Sequence, residues 1–129
     1  MLPTKPWIYG QMAVDAAILS ALGPNGVVTD SRPEEIETFP TLAYTDDSQS
    51  DLEWADNKPQ GTAMKFIIDI FTKVEQGLPT TTDIAIPVAK FFTDLFFYCA
   101  RNGEVPDDTV GVRHRVMVFT REVFALESH

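Results

Sequence analysis

Apolar side chains alternate with other residues along two stretches of the chain, and this pattern predicts strands. In residues 62–72 an apolar side chain stands at every second position from Met64 to Ile70, as in a strand with one buried face. The opposite face of that strand is mixed, which suits a sheet that is partly wetted or pairs with another subunit. Residues 109–123 alternate in the same way, and residues 39–45 and 27–29 predict two further strands.

Apolar residues at helical spacing predict two helices. They recur every three or four positions over residues 7–22 and again over residues 84–100. Gly23 suits the end of the first helix, and Thr80–Thr82 offer an N-cap for the second. Asn102-Gly103 are expected to end the second helix.

The order of these elements predicts an α+β fold. We expect one domain over residues 1–129, with a small, mostly antiparallel sheet of about four strands and two helices packed on one face. Residues 1–6 are expected to form an N-terminal arm, and residues 46–61 a long acidic loop. Loops of that length are commonly functional or mobile.

Composition and charge limit the functional classes. The 129 residues suit a single domain, and 44% of them are hydrophobic, enough for a core. The single cysteine, Cys99, excludes an intramolecular disulfide and favours a reducing compartment. No signal peptide or membrane span is predicted, so we expect a soluble intracellular protein. The net charge of −9 argues against a phosphate-binding surface, although acidity also serves solubility.

The sequence contains no motif typical of catalysis or cofactor binding. Residues 46–57 lack the glycine and the final glutamate of an EF-hand calcium loop, since position twelve is Asn57. His114 has no serine or cysteine motif with which to form a nucleophilic site, and Cys99 stands on the apolar stripe of the second helix. We therefore expect no catalytic residue, no metal and no cofactor. A carboxylate enzyme would leave only a weak signature.

Six residues are candidates for a subunit or partner interface. Arg113 and Arg115 belong, with Arg121, to a basic cluster on one face of the last strand. They pair either within the sheet, with Asp69 and Glu122, or with an acidic patch on a neighbouring subunit. Aromatic residues off the helix stripe (Phe97 and Tyr98) and in the acidic loop (Trp54) either cover the core or anchor a contact. The six candidates are Asp51, Glu53, Trp54, Phe97, Arg113 and Arg115.

The order of segments resembles that of the small tail-completion proteins of long-tailed bacteriophages, also called tail terminator or head–tail joining proteins. The resemblance covers nearly the whole chain. It rests on FPTLAY (39–44), WADN (54–57), FIIDIFTK (66–73), TTTDIAIPVAKFFTDLFF (80–97) and DDTVGVRHRVMVF (107–119), which follow an N-terminal helix.

This resemblance implies a virion structural protein of mixed α/β fold that assembles with itself as a ring, commonly a hexamer. Such a ring caps the tail tube, stops its polymerisation and docks to head-connector proteins, in the tail or neck of a virion assembled in the host cytoplasm. DNA would pass through the lumen without specific binding, since six copies at −9 would total about −54. Two other hypotheses stay open: another phage neck or tail assembly adaptor, and a small acidic enzyme or ligand-binding α+β domain.

Overall fold

The computed structural model describes residues 5–46, 54–55, 58–59, 62–75, 77–107 and 109–123. This part of the chain contains three helices and seven strands. The helices are α1 (Lys5–Val14), α2 (Ala16–Leu22) and α3 (Thr81–Asp94). The strands are β1 (Val27–Asp30), β2 (Thr41–Asp46), β3 (Trp54–Ala55), β4 (Lys58–Pro59), β5 (Thr62–Lys73), β6 (Tyr98–Val105) and β7 (Val112–Val123).

Five strands form one sheet in the order β1-β2-β5-β7-β6. The short β1 runs parallel to β2, and the other neighbours are antiparallel. The central strand, β5, pairs with β7 along its whole length, from Thr62 opposite Val123 to Lys73 opposite Val112. The predicted α+β class with a mostly antiparallel sheet is confirmed, with one more strand than expected.

The core lies between the three helices and one face of this sheet. The alternation predicted for β5 is confirmed, because the even-numbered residues from Met64 to Ile70 are buried in the core cluster. Aromatic rings fill its centre: Phe92 of α3 stacks on Phe119 of β7, with 4.4 Å between ring centroids. Within the described ranges, every helix is too short or too polar to cross a membrane.

Two helix predictions are corrected. The expected helix over residues 7–22 is two helices, because the Asp15 side chain accepts a hydrogen bond from the Ile18 N–H (3.0 Å) and so caps a new one. The second helix ends at Asp94 instead of Ala100, and residues 98–105 form the unpredicted strand β6. Pairing with β7 gives the backbone of this segment its hydrogen-bond partners, and tertiary pairing of that kind outweighs the local helical pattern.

Segment 31–40 lies over part of the opposite face of the sheet. The guanidinium of Arg32 lies 5.1 Å from the centroid of the Phe71 ring, and the amine of Lys73 lies 4.8 Å from that of Phe39. As a result Phe71 is only 1% exposed, although it faces away from the helices. The mixed face predicted for β5 is therefore covered at one end by the chain itself.

The core packing gives a first test. Phe92→Ala should lower the free energy of unfolding by about 3–5 kcal/mol, because the ring is fully buried against Phe66, Phe97 and Phe119. Ile86→Ala is the matched control on the same helix: its side chain is 66% exposed, so the change should stay within about 0.5 kcal/mol. Urea unfolding followed by circular dichroism measures both, and equal effects would contradict this packing.

Candidate interaction surfaces

The two arginines predicted at an interface have partners inside the chain. Arg115 donates from Nε to Thr81 Oγ1 (3.1 Å), from Nη2 to Thr82 Oγ1 (2.9 Å) and from Nη1 to Asn102 Oδ1 (2.9 Å). It therefore ties β7 to the start of α3 and to β6.

Arg113 pairs with an acidic residue on β6, the edge strand that also carries Asn102. It forms an ion pair with Glu104, 3.6 Å between Nη1 and Oε2. Glu104 also accepts a hydrogen bond from the Thr81 hydroxyl (2.7 Å). These partners in the chain differ from Asp69 and Glu122, the two carboxylates that the sequence predicts. An intermolecular role of Arg113 and Arg115 remains a prediction.

Of the other four predicted interface residues, the structure describes two. Phe97 is 5% exposed and packs against Phe66 and Phe92, so it belongs to the core of this chain. The backbone of Trp54 pairs with that of Pro59 in the two-stranded β3–β4 ladder. Asp51 and Glu53 lie outside the described residues.

Phe96 has a backbone conformation that phenylalanine rarely adopts. It follows the C-cap of α3 with a φ of 66°. The Phe97 N–H bonds to the Phe92 carbonyl (3.0 Å), and the Phe96 N–H to the Thr93 carbonyl (2.9 Å). These two bonds define a Schellman motif, whose left-handed position usually holds glycine. A bulky side chain there costs about 1–2 kcal/mol.

The Phe96 ring is also 81% exposed, and Tyr98, two residues on, is 71% exposed. Arg121 lies beside Phe96: its guanidinium is 5.9 Å from the Phe96 centroid and donates to the Leu95 carbonyl (3.2 Å). We call Phe96, Tyr98 and Arg121 the aromatic knob. The sequence pattern missed Phe96, because a helix continued to residue 100 places Phe96 on the apolar stripe and Phe97 off it, whereas the structure exposes Phe96 and buries Phe97.

A groove of about 700 Å³ opens on the sheet face opposite the helices. It lies between segment 31–40 and the ends of β5, β6 and β7 nearest Lys73, Val105 and Val112. Its apolar lining includes Pro33, Ile36, Phe39, Phe71 and Val105. Its rim carries Glu34, Glu35, Glu37 and Asp107 with the cations Arg32 and Lys73. We call this the acidic groove.

A buried hydrogen-bonded contact lies at the floor of the acidic groove, whose lining includes His114 and Phe71. His114 Nε2 lies 2.6 Å from Asp69 Oδ1, and the two residues are 5% and 7% exposed. The Phe71 ring stacks on the imidazole, with 4.2 Å between centroids. A buried carboxylate needs such a partner, so this contact fixes β5 against β7.

The described residues hold no cluster of metal-ligating side chains. Within these ranges, no three His, Cys, Asp or Glu side chains come together as possible ligands. Cys99 is partly buried and packs against the core cluster. The geometry instead presents an exposed aromatic knob, an acidic groove and two edge strands, β1 and β6, within the described sheet.

Comparison with solved structures adds a structural relationship. The chain is similar to a chain in a solved structure described as the virion of a native gene transfer agent particle. The TM-score is 0.62 at 20% sequence identity, over 92% of each chain. At this identity the similarity shows a shared fold. No protein-family model matches the sequence, and a search of curated proteins gave no match.

The strained backbone at Phe96 predicts a stabilising substitution. Phe96→Gly should raise the free energy of unfolding by about 1 kcal/mol relative to Phe96→Ala, because both lose the ring but only glycine relieves the left-handed strain. Urea unfolding of the two variants measures the difference. An alanine variant as stable as the glycine variant would show that the strain is absent.

The buried contact between Asp69 and His114 predicts a strong coupling. In a double-mutant cycle with alanine at both positions, the coupling energy should be at least about 1 kcal/mol, since removing one partner leaves the other buried and unpaired. The same cycle on Lys90 and Asp94 is the control. That pair is at a similar distance, 2.8 Å, but its side chains are 74% and 63% exposed, so its coupling should be too small to resolve. Equal couplings would contradict the role assigned to burial.

Proposed function

We propose that this chain is a phage-type virion structural protein that caps the tail tube and joins the tail to the head as a ring. The observation that carries the proposal is the fold shared, over 92% of both chains, with a chain of a gene transfer agent virion. The match therefore compares nearly all of this chain with nearly all of the other. The segment order typical of tail-completion proteins supports the same assignment.

The surface of the chain suits assembly with itself. In a ring of identical subunits each contact is heterologous, so every subunit needs two different, complementary surfaces. The aromatic knob and the acidic groove are two such surfaces. Exposed aromatic side chains of this size are typical of interfaces, where tyrosine, tryptophan and arginine are enriched.

The proposed partners are further copies of the chain, the tail-tube protein and the head-connector proteins, in the tail or neck of the virion. The net charge of −9 supports a ring that DNA passes without binding, because like charges repel. We assign the chain no enzymatic activity.

A second candidate is a neck or tail assembly adaptor that binds other virion proteins without forming a ring of its own. The exposed Phe96 and Tyr98 favour it as much as they favour the ring, since an exposed aromatic pair also suits an unlike partner. The two candidates differ in whether closed rings of this chain form.

Light scattering coupled to size exclusion, with negative-stain images of any large species, tests the ring. We expect uniform closed rings whose mass is a fixed multiple of 14.4 kDa, about 86 kDa for six copies. Purified tail tubes are added in a parallel series, because assembly on the tube would be missed with the chain alone. A monomer in both series, over the whole concentration range, would contradict the ring and favour the adaptor.

A further inference from the structure

We propose that the aromatic knob of one copy inserts into the acidic groove of the next, so that the chain joins head to tail through Phe96. The inference rests on the proposed function in one respect, that the chain assembles with itself. It goes further by naming the two surfaces that meet.

The knob and the groove lie at opposite ends of the same strands. Tyr98, at the start of β6, pairs with Thr120, whereas Val105, at its end, pairs with His114 on the groove floor. Seven residues at about 3.3 Å each separate these ends by roughly 23 Å. The knob therefore cannot reach the groove of its own chain, but it can reach that of another copy.

The conformation of Phe96 singles out the knob from other exposed apolar residues. A left-handed phenylalanine lowers the stability of the free chain, and its ring is 81% exposed, so the free chain has little contact to offset the strain. Strain of this kind is retained where the side chain acts in a contact. Ile86 and Val14, both 66% exposed, are by contrast in ordinary helical backbone.

The groove has the chemistry to accept an aromatic side chain. Its volume of about 700 Å³ exceeds that of one ring, and its walls include Pro33, Ile36 and Phe39. The Phe71 ring is already stacked on His114 and carries Arg32 at 5.1 Å. These two contacts already cover the Phe71 ring, so an entering ring would pack against the groove walls, where Phe39 offers an offset or edge-to-face aromatic contact that adds to the gain from burial.

The charges of the two surfaces are complementary. The groove rim carries four carboxylates, Glu34, Glu35, Glu37 and Asp107, against the two cations Arg32 and Lys73, a difference of −2. The knob carries Arg121, which lies on β7, and the exposed Arg101 lies on β6, three residues after Tyr98. Asp94 lies nearby, but it is paired with Lys90, and this hydrogen bond raises the pKa of the amine. Opposite charges would set the orientation of the contact more than its strength.

Chemical crosslinking tests the contact even where it is weak. Two variants are made in a Cys99→Ala background: Ala100→Cys, beside the knob, and Thr38→Cys, beside the groove, both exposed positions outside the proposed contact. One carries an affinity tag, so that mixed and like dimers differ in mass. The mixture is treated with a short bismaleimide. The control pair combines Ala100→Cys with Ser20→Cys, an exposed position on α2, in place of Thr38→Cys.

We expect the Ala100→Cys and Thr38→Cys pair to give about tenfold more mixed dimer than the control pair. A contact of modest free energy is enough to give a ratio of this size. Adding Phe96→Gly to the first variant should reduce the yield to the control level. Phe96→Gly relieves the left-handed strain, so we expect this variant to fold, and urea unfolding of the same protein shows that the loss is not due to unfolding. Ile86→Ala, added to the first variant instead of Phe96→Gly, should leave the yield of mixed dimer unchanged. An equal yield from the two pairs, or a yield unaffected by Phe96→Gly, would overturn the inference.

The result separates this inference from the proposed function. Rings that form from the unmodified chain and equally from Phe96→Gly would overturn the knob-in-groove contact and leave the tail-completion ring standing. A chain with both cysteines that crosslinks into an open ladder, without a closed species of fixed size, would support the contact and contradict the ring.

Discussion

The pairing of β5 with β7 is the constraint on which the rest of the structure depends. In the observed register, Phe66 lies opposite Phe119 under the helices, and Asp69 comes within reach of His114 on the other face. A slip of one residue would turn the carboxylate into the aromatic core and the rings out of it. The aromatic core on one face and the buried pair on the other therefore specify the same register, and each fixes the position of the other.

This register also determines where the aromatic knob stands. Because β6 must pair with the outer edge of β7, α3 has to end at Asp94, and only residues 95–97 remain to turn the chain back into the sheet. The Schellman motif makes this turn within three residues, burying Phe97 and leaving Phe96 outside in a left-handed conformation. A glycine would serve the turn better, so the phenylalanine is best explained by a contact beyond the chain.

The sequence predicts what depends on local periodicity and misses what depends on pairing. The alternation of β5 and its buried face from Met64 to Ile70 could be predicted, because the two faces of this strand differ from each other in polarity. Strand β6 could not, since the apolar residues up to Cys99 also continue a helical stripe and Asn102-Gly103 is an ordinary stop signal. The partners of Arg115 and His114 stand up to 45 residues away, so only the fold identifies them.

We propose that this chain closes the tail of a virion and joins it to the head. Electron microscopy of particles produced without the chain tests it most directly. If the chain caps the tube, those preparations will contain heads without attached tails and tails of uncontrolled length, and supplying the chain will restore complete particles. Complete particles with tails of uniform length in its absence would contradict the account.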